Sequence, residues 1–142
     1  MDTNLETGSA QKKSFTRFFP HIARVLMGLA FLAFGLMSFM VKPPDNLPEN
    51  IKTVNAGLAL AGYAQIASGT MVLVGLLLLA NRFVPLALAL IAPILVGILS
   101  FHIMTSPGMI VPGAILSAIE LYLAWAYRRA FSPMLAAKVT PG

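Results

Sequence analysis

The chain has 142 residues, of which 58% are hydrophobic and only 11% charged, with a mean hydropathy of +0.82. An average soluble domain carries about 25% charge, and a chain this short has too much surface per unit volume to hide so much apolar area. Composition therefore excludes an ordinary soluble domain, a disordered chain and a collagen-like or coiled-coil rod, and leaves an integral membrane protein. There is no cysteine, which removes disulfides, thiol catalysis, Cys-ligated zinc, iron–sulfur clusters and a redox-active CxxC pair. Ten Lys/Arg against five Asp/Glu give a net charge of +5. These cations sit at the ends of apolar runs and form no basic patch interleaved with aromatics, so they argue for membrane topology and against nucleic acid.

Residues 1–19 read as a polar, interfacial tail. Met1–Ser14 is polar and expected to be poorly ordered. Phe15, Phe18 and Phe19 interleave with Arg17, which suits either a short interfacial segment or a plain extension of the first helix. Pro20 is expected to start that helix, because a first-turn proline lacks only an N–H that has no partner there anyway. The apolar run is too long for a signal-peptide core and no A-x-A site follows it, so it reads as retained.

Charge-free intervals place four spans within residues 20–131. Val25–Val41 is 17 residues long and reaches about 20, the length of a bilayer crossing, if Arg24 snorkels at its start. The compact polar loop Lys42–Lys52 follows, with Pro43, Pro44 and Pro48. Thr53–Asn81 then runs 29 residues without a charge, and Asn81-Arg82 is a tight turn. Phe83–Ile119 is charge-free for 37 residues, too long for one span, and Thr105-Ser106-Pro107-Gly108 breaks it. Pro112 restarts the helix. The spans are about 22–41, 55–80, 83–104 and 110–127, giving an all-α, integral membrane four-helix bundle with a C-terminal tail at 132–142.

Orientation follows from the cations. The N-terminal segment through Arg24, the second loop and the C-tail hold eight Lys/Arg, and the other two loops hold two. That excess places both termini in the cytoplasm. Tyr122, Trp125 and Tyr127 then fall near the inner interface.

Helices in lipid associate through small residues and polar contacts, because lipid competes equally for apolar surface. Four such stripes stand out: Arg24, Gly28 and Gly35; Gly57, Ala61, Gln65 and Gly69; Ala89, Pro93, Gly97 and Ser100; Gly113, Ser117, Glu120 and Ala124. The polar residues Arg24, Gln65 and Glu120 lie on these stripes, so they are expected to face inward. Glu120 is the only acid inside a span, about 10 Å from the inner boundary at Tyr127. A central charge costs roughly 2.5–3.5 kcal/mol, so Glu120 needs a partner. An Arg24–Glu120 pair joined by Gln65 or Tyr63 is expected, either fixing helix register or forming a polar site for a headgroup, substrate or proton. Pro93 is expected to kink the third span and free a carbonyl inside the bundle. His102, near the outer end of that span, admits three roles: haem or metal ligand, contact to a quinone or other substrate, and helix-end hydrogen bonding. His21 lies at the opposite membrane face, so the two histidines cannot ligate one haem within a monomer. There is no HExxH, P-loop, GxGxxG or carboxylate pair, so the chain is not expected to be catalytic on its own.

Several of these residues together resemble the DoxX and DoxX-like family of small four-helix membrane proteins. The resemblance rests on Arg24-Val25-Leu26-Met27-Gly28 with Phe31 and Gly35, and on Asn81-Arg82-Phe83-Val84-Pro85-Leu86-Ala87-Leu88. It continues in Ala92-Pro93-Ile94, Ser100-Phe101-His102 and Pro107, and closes with Glu120-Leu121-Tyr122-Leu123-Ala124-Trp125-Ala126-Tyr127-Arg128 and Phe131. It covers about Pro20 to Leu135. Relatives often carry Asn about five residues before the histidine, where this chain has Gly97. The resemblance implies a bacterial cytoplasmic (inner) membrane protein. Some members are membrane subunits of quinone-linked sulfur-oxidising complexes, and others are linked to membrane redox or detoxification assemblies. The expectation is a non-catalytic membrane subunit or anchor of a quinone-linked redox complex, with a membrane-associated oxidoreductase as partner and a quinone as the compatible cofactor. The alternative is a small-molecule or lipid binding or transport protein acting as a homo-oligomer. The expected polar or ligand-binding residues are Arg24, Tyr63, Gln65, His102 and Glu120.

Overall fold

The computed structural model describes residues 3–136, and among them every regular element is helical. In chain order these are α1 (Thr3–Met40), α2 (Glu49–Leu60), α3 (Tyr63–Leu79), α4 (Val84–Thr105), α5 (Ile110–Ala126) and the single turn α6 (Arg128–Phe131). Short 3-10 turns occupy Pro107–Met109 and Ser132–Leu135. Phe18–Met40, Val84–Thr105 and Pro107–Ala126 are each long and apolar enough to cross a membrane, and the bent pair α2–α3 makes a fourth if it is one span.

The helices contact one another in a closed order. α1 packs chiefly on α3, α3 on α4, α4 on α5, and α5 returns to α1, while α2 rests mainly on α3. Their shared core is Met27 and Phe31 from α1, Val74 and Leu78 from α3, Ala87, Leu88, Ile91 and Leu95 from α4, and Leu123 from α5. The outward faces carry large apolar side chains such as Leu26, Leu76, Val96 and Leu121. Such a surface is what hydrocarbon solvates and water does not.

The α1–α3 contact is the closest in the molecule. A Cβ on Gly75 would lie 2.7 Å from the backbone N of Leu32 and 2.9 Å from the carbonyl oxygen of Gly28. One on Gly35 would lie 2.9 Å from the backbone N of Val72. The two backbones touch because side chains are missing at these points. The pairings Arg24 with Leu78, Gly28 with Gly75 and Ser38 with Ser68 show that the helices run antiparallel.

Four expectations need correction. Pro20 does not start α1; it lies inside a helix that continues back to Thr3. The Phe15–Phe19 segment is helical, and Met1 and Asp2 lie outside the described residues. The second span is not one rod. α2 and α3 meet at 77°, and the break falls at Gly62, whose φ of +69° is a left-handed conformation open to glycine. α2 also begins at Glu49, so part of the expected polar loop is helical. Finally, two of the small-residue stripes face outward. Gly57, Ala61, Gln65 and Gly69 are not on the packed face of α2 and α3, which is instead Ser68, Val74, Gly75 and Leu78. On α4, Ala89, Pro93 and Ser100 are exposed, and Ala87, Leu88, Ile91 and Leu95 pack. Pro93 therefore sits on the outer face of an unbroken helix, and the carbonyl that it frees is not in the interior.

The stripes on α1 and α5 do face inward, through Arg24, Gly28 and Gly35 and through Gly113 and Glu120. The turn before α5 falls at Ser106–Met109, as the sequence indicates. Asn81 closes α3 with a φ of +54°, and its neighbour Arg82 donates its N–H to the Leu77 carbonyl at 3.0 Å. This is the usual wrap at a helix C-terminus.

The glycine contact is testable. Gly75→Val places atoms against backbone that cannot yield and should cost about 2 kcal/mol in a detergent unfolding titration. Gly69→Ala, with nothing within 4 Å of its Cβ, should change stability by less than about 0.5 kcal/mol.

Candidate functional site

The expected site residues separate into two regions at opposite ends of the helices. Arg24 is at one end. It is only 7% exposed, and its Nη1 donates to the carbonyl oxygen of Leu78, in the last turn of α3. The final carbonyls of a helix have no partners within it, and the negative end of the helix dipole favours a cation there. Arg24 thus closes the C-terminus of α3. Its Nε has no hydrogen-bond partner among the described residues.

Glu120, 9% exposed on α5, lies at nearly the same depth. The edge-to-face contact of Phe19 with Tyr122, 5.2 Å between ring centroids, sets the antiparallel register of α1 and α5. Counting inward from that contact puts Arg24 and Glu120 about 4.5 Å apart along the helix axes. They do not pair: no nitrogen–oxygen contact within 4.0 Å joins them. The reason is local, since α3 ends beside Arg24 and offers a carbonyl first. Gln65 does not join this layer; it is exposed on α3. Tyr63 does not either, because it sits fifteen residues before Leu78, about 22 Å away along α3.

Tyr63 and His102 belong to the other end, where a partly open cavity of about 490 Å³ lies between α1, α2, α3 and α4. Its walls are mostly apolar, including Phe34, Leu58, Met71, Ile94 and Phe101. Five polar side chains interrupt them: Ser38, Asn55, Tyr63, Ser68 and His102. This is the usual make-up of a small-molecule pocket, apolar walls with a few placed polar groups.

Each polar group has a traceable position. Ser68 Oγ lies 2.7 Å from the Ala64 carbonyl and 2.7 Å from Ser38 Oγ. With one proton per hydroxyl, Ser68 donates to the carbonyl and accepts from Ser38. His102 Nδ1 lies 2.7 Å from the carbonyl of Ile98, one turn earlier on α4. The Tyr63 hydroxyl stands over Gly97, where a Cβ would approach it to 3.2 Å. Gly97 thus gives room to a polar group from α3.

Among the described residues no three His, Asp or Glu side chains cluster as metal ligands. The helix-end hydrogen bond considered for His102 is present, and the ring also lines the cavity. Sequence reasoning missed Ser38, Asn55 and Ser68. Asn55 and Ser68 lie on either side of the bend at Gly62, so a stripe that runs straight through the segment points the wrong way.

No known protein family matches the chain, and neither does any characterised protein or solved structure.

A double-mutant cycle checks the separation of Arg24 from Glu120. The coupling between Arg24→Met and Glu120→Gln should be under about 0.5 kcal/mol, because the two side chains do not touch. A coupling several times larger would restore the ion pair.

Proposed function

We propose that the chain is a DoxX-like, four-helix protein of the bacterial inner membrane with both termini cytoplasmic, in which α2 and α3 together make the second crossing. Its function is to hold a lipid-soluble small molecule of the quinone class, as a non-catalytic membrane subunit or anchor of a redox complex. One observation carries this reading: the cavity between α1 and α4 is walled by apolar side chains and edged by Tyr63, His102, Ser38 and Asn55. An apolar body fits such walls, and the few polar groups orient its head. The chemistry itself would belong to the partner enzyme, since this chain has no cysteine and no catalytic constellation.

Native mass spectrometry in mild detergent tests both halves of the proposal. A bound lipid-soluble molecule and a co-purifying oxidoreductase are expected. Ala67→Phe, which fills the cavity, should weaken binding of added decylubiquinone by at least about tenfold and leave the partner bound. No retained ligand and no saturable binding would remove the ligand-holding role.

A second reading, an oligomeric lipid or solute carrier, is favoured by Gln65. It is an exposed amide on α3, and an amide facing lipid gains from a partner on another chain. A homo-oligomer without partner enzyme in the same spectra would select it.

Topology is directly accessible because the chain has no cysteine. Pro44→Cys and Gly108→Cys should react with a membrane-impermeant maleimide added outside spheroplasts. Ser132→Cys should react only after lysis.

A further inference from the structure

The cavity's polar groups differ in what they still offer to a ligand. Ser38 and Ser68 spend their protons on each other and on the Ala64 carbonyl. The Ile98 carbonyl beside His102 Nδ1 can only accept, so the ring proton resides on Nδ1. In the neutral imidazole, Nε2 then presents a lone pair, and it has no hydrogen bond to any described residue. The Tyr63 hydroxyl, also without a partner among the described residues, supplies a donor. An apolar molecule that fills the cavity expels water from these groups. Nε2 is then left unsatisfied unless the ligand donates to it, and an unmade hydrogen bond in an apolar site costs more than a made one gains.

We infer that the cavity selects an amphiphile whose head is a hydroxyl, donating to His102 Nε2 and accepting from Tyr63, over the same body carrying a ketone or ether. This rests on the cavity being the ligand site. A ketone oxygen accepts from Tyr63 but gives His102 nothing. A hydroxyl is the smallest group that serves both. Within the quinone class the favoured form is the quinol. An isoprenoid alcohol has the same chemistry, and the two sources are separable by experiment.

The test uses the full chain in mild detergent, anaerobically. Decylubiquinol is compared with decylubiquinone, and farnesol with farnesyl methyl ether. Each hydroxyl probe that binds should do so about tenfold tighter than its non-donating counterpart. His102→Phe should abolish that preference. Preference in the first pair only assigns the site to a quinol, and in the second only to a lipid alcohol. Equal binding within both pairs, still lost in Ala67→Phe, would overturn the hydroxyl selectivity and leave the cavity as a ligand site. Absence of binding by all four would overturn both. The wild-type comparison needs no variant, so a folding defect in His102→Phe does not blunt it.

Discussion

Backbone meets backbone where α1 crosses α3, at Gly28, Gly35 and Gly75, and the placement of the polar groups follows from that contact. A helix pair in lipid gains nothing from hiding apolar surface, so van der Waals contact must hold it, and contact is densest where no side chain intervenes. The glycine positions fix the register as well as the distance. With Gly28 against Gly75, Arg24 comes level with Leu78 at one end and Ser38 level with Ser68 at the other. A shift of one turn would separate Arg24 from the C-terminus of α3 and open the serine pair.

The break at Gly62 gives the two ends different characters. α3 has 17 residues, about 25 Å of helix, short of the roughly 30 Å hydrocarbon core. α2 does not extend that axis: it departs at 77°. Near Arg24 the four packed helices close around Met27, Leu78, Leu88 and Leu123. Beyond Tyr63 the straight continuation of α3 is missing, and α2 leans across through Val54, Asn55 and Leu58. The cavity is the space that this bend leaves.

The sequence made legible what depends on charge and on long apolar runs. The all-helical class, the turn at Ser106–Met109 and the inward faces of α1 and α5 could all be read from it. Those two faces each carry a charged residue, and a charge in an apolar span points inward strongly enough to orient the whole helix. α3 and α4 carry no such marker. Nearly all their residues are apolar, so periodicity cannot separate a lipid-facing side from a packed one, and the small residues mislead: Gly69 and Ala89 face outward while Leu78, Leu88 and Ile91 pack. The break at Gly62 was hidden for the same reason, since one glycine in an unbroken apolar run reads equally as packing or as bend. The partner of Arg24 was hidden because sequence displays carboxylates and not helix ends, and a terminal carbonyl is an equally good acceptor.

Polar groups in a nearly charge-free protein are informative through what remains unsatisfied after folding. At the α3 C-terminus the main hydrogen bond, from Arg24 to the Leu78 carbonyl, joins protein to protein and locks two helices together. A site of that kind resists exchange with ligand, because displacing the guanidinium would expose both a cation and a helix end. At the cavity the serines are likewise closed on each other. His102 and Tyr63, which line the cavity, retain hydrogen-bonding capacity that no described residue takes up. Such unused capacity beside apolar walls is met best by an occupant with an apolar body and a polar head. The proposed ligand role therefore rests on the cavity end, while the one buried side-chain atom left without a partner among the described residues, Arg24 Nε, lies at the other.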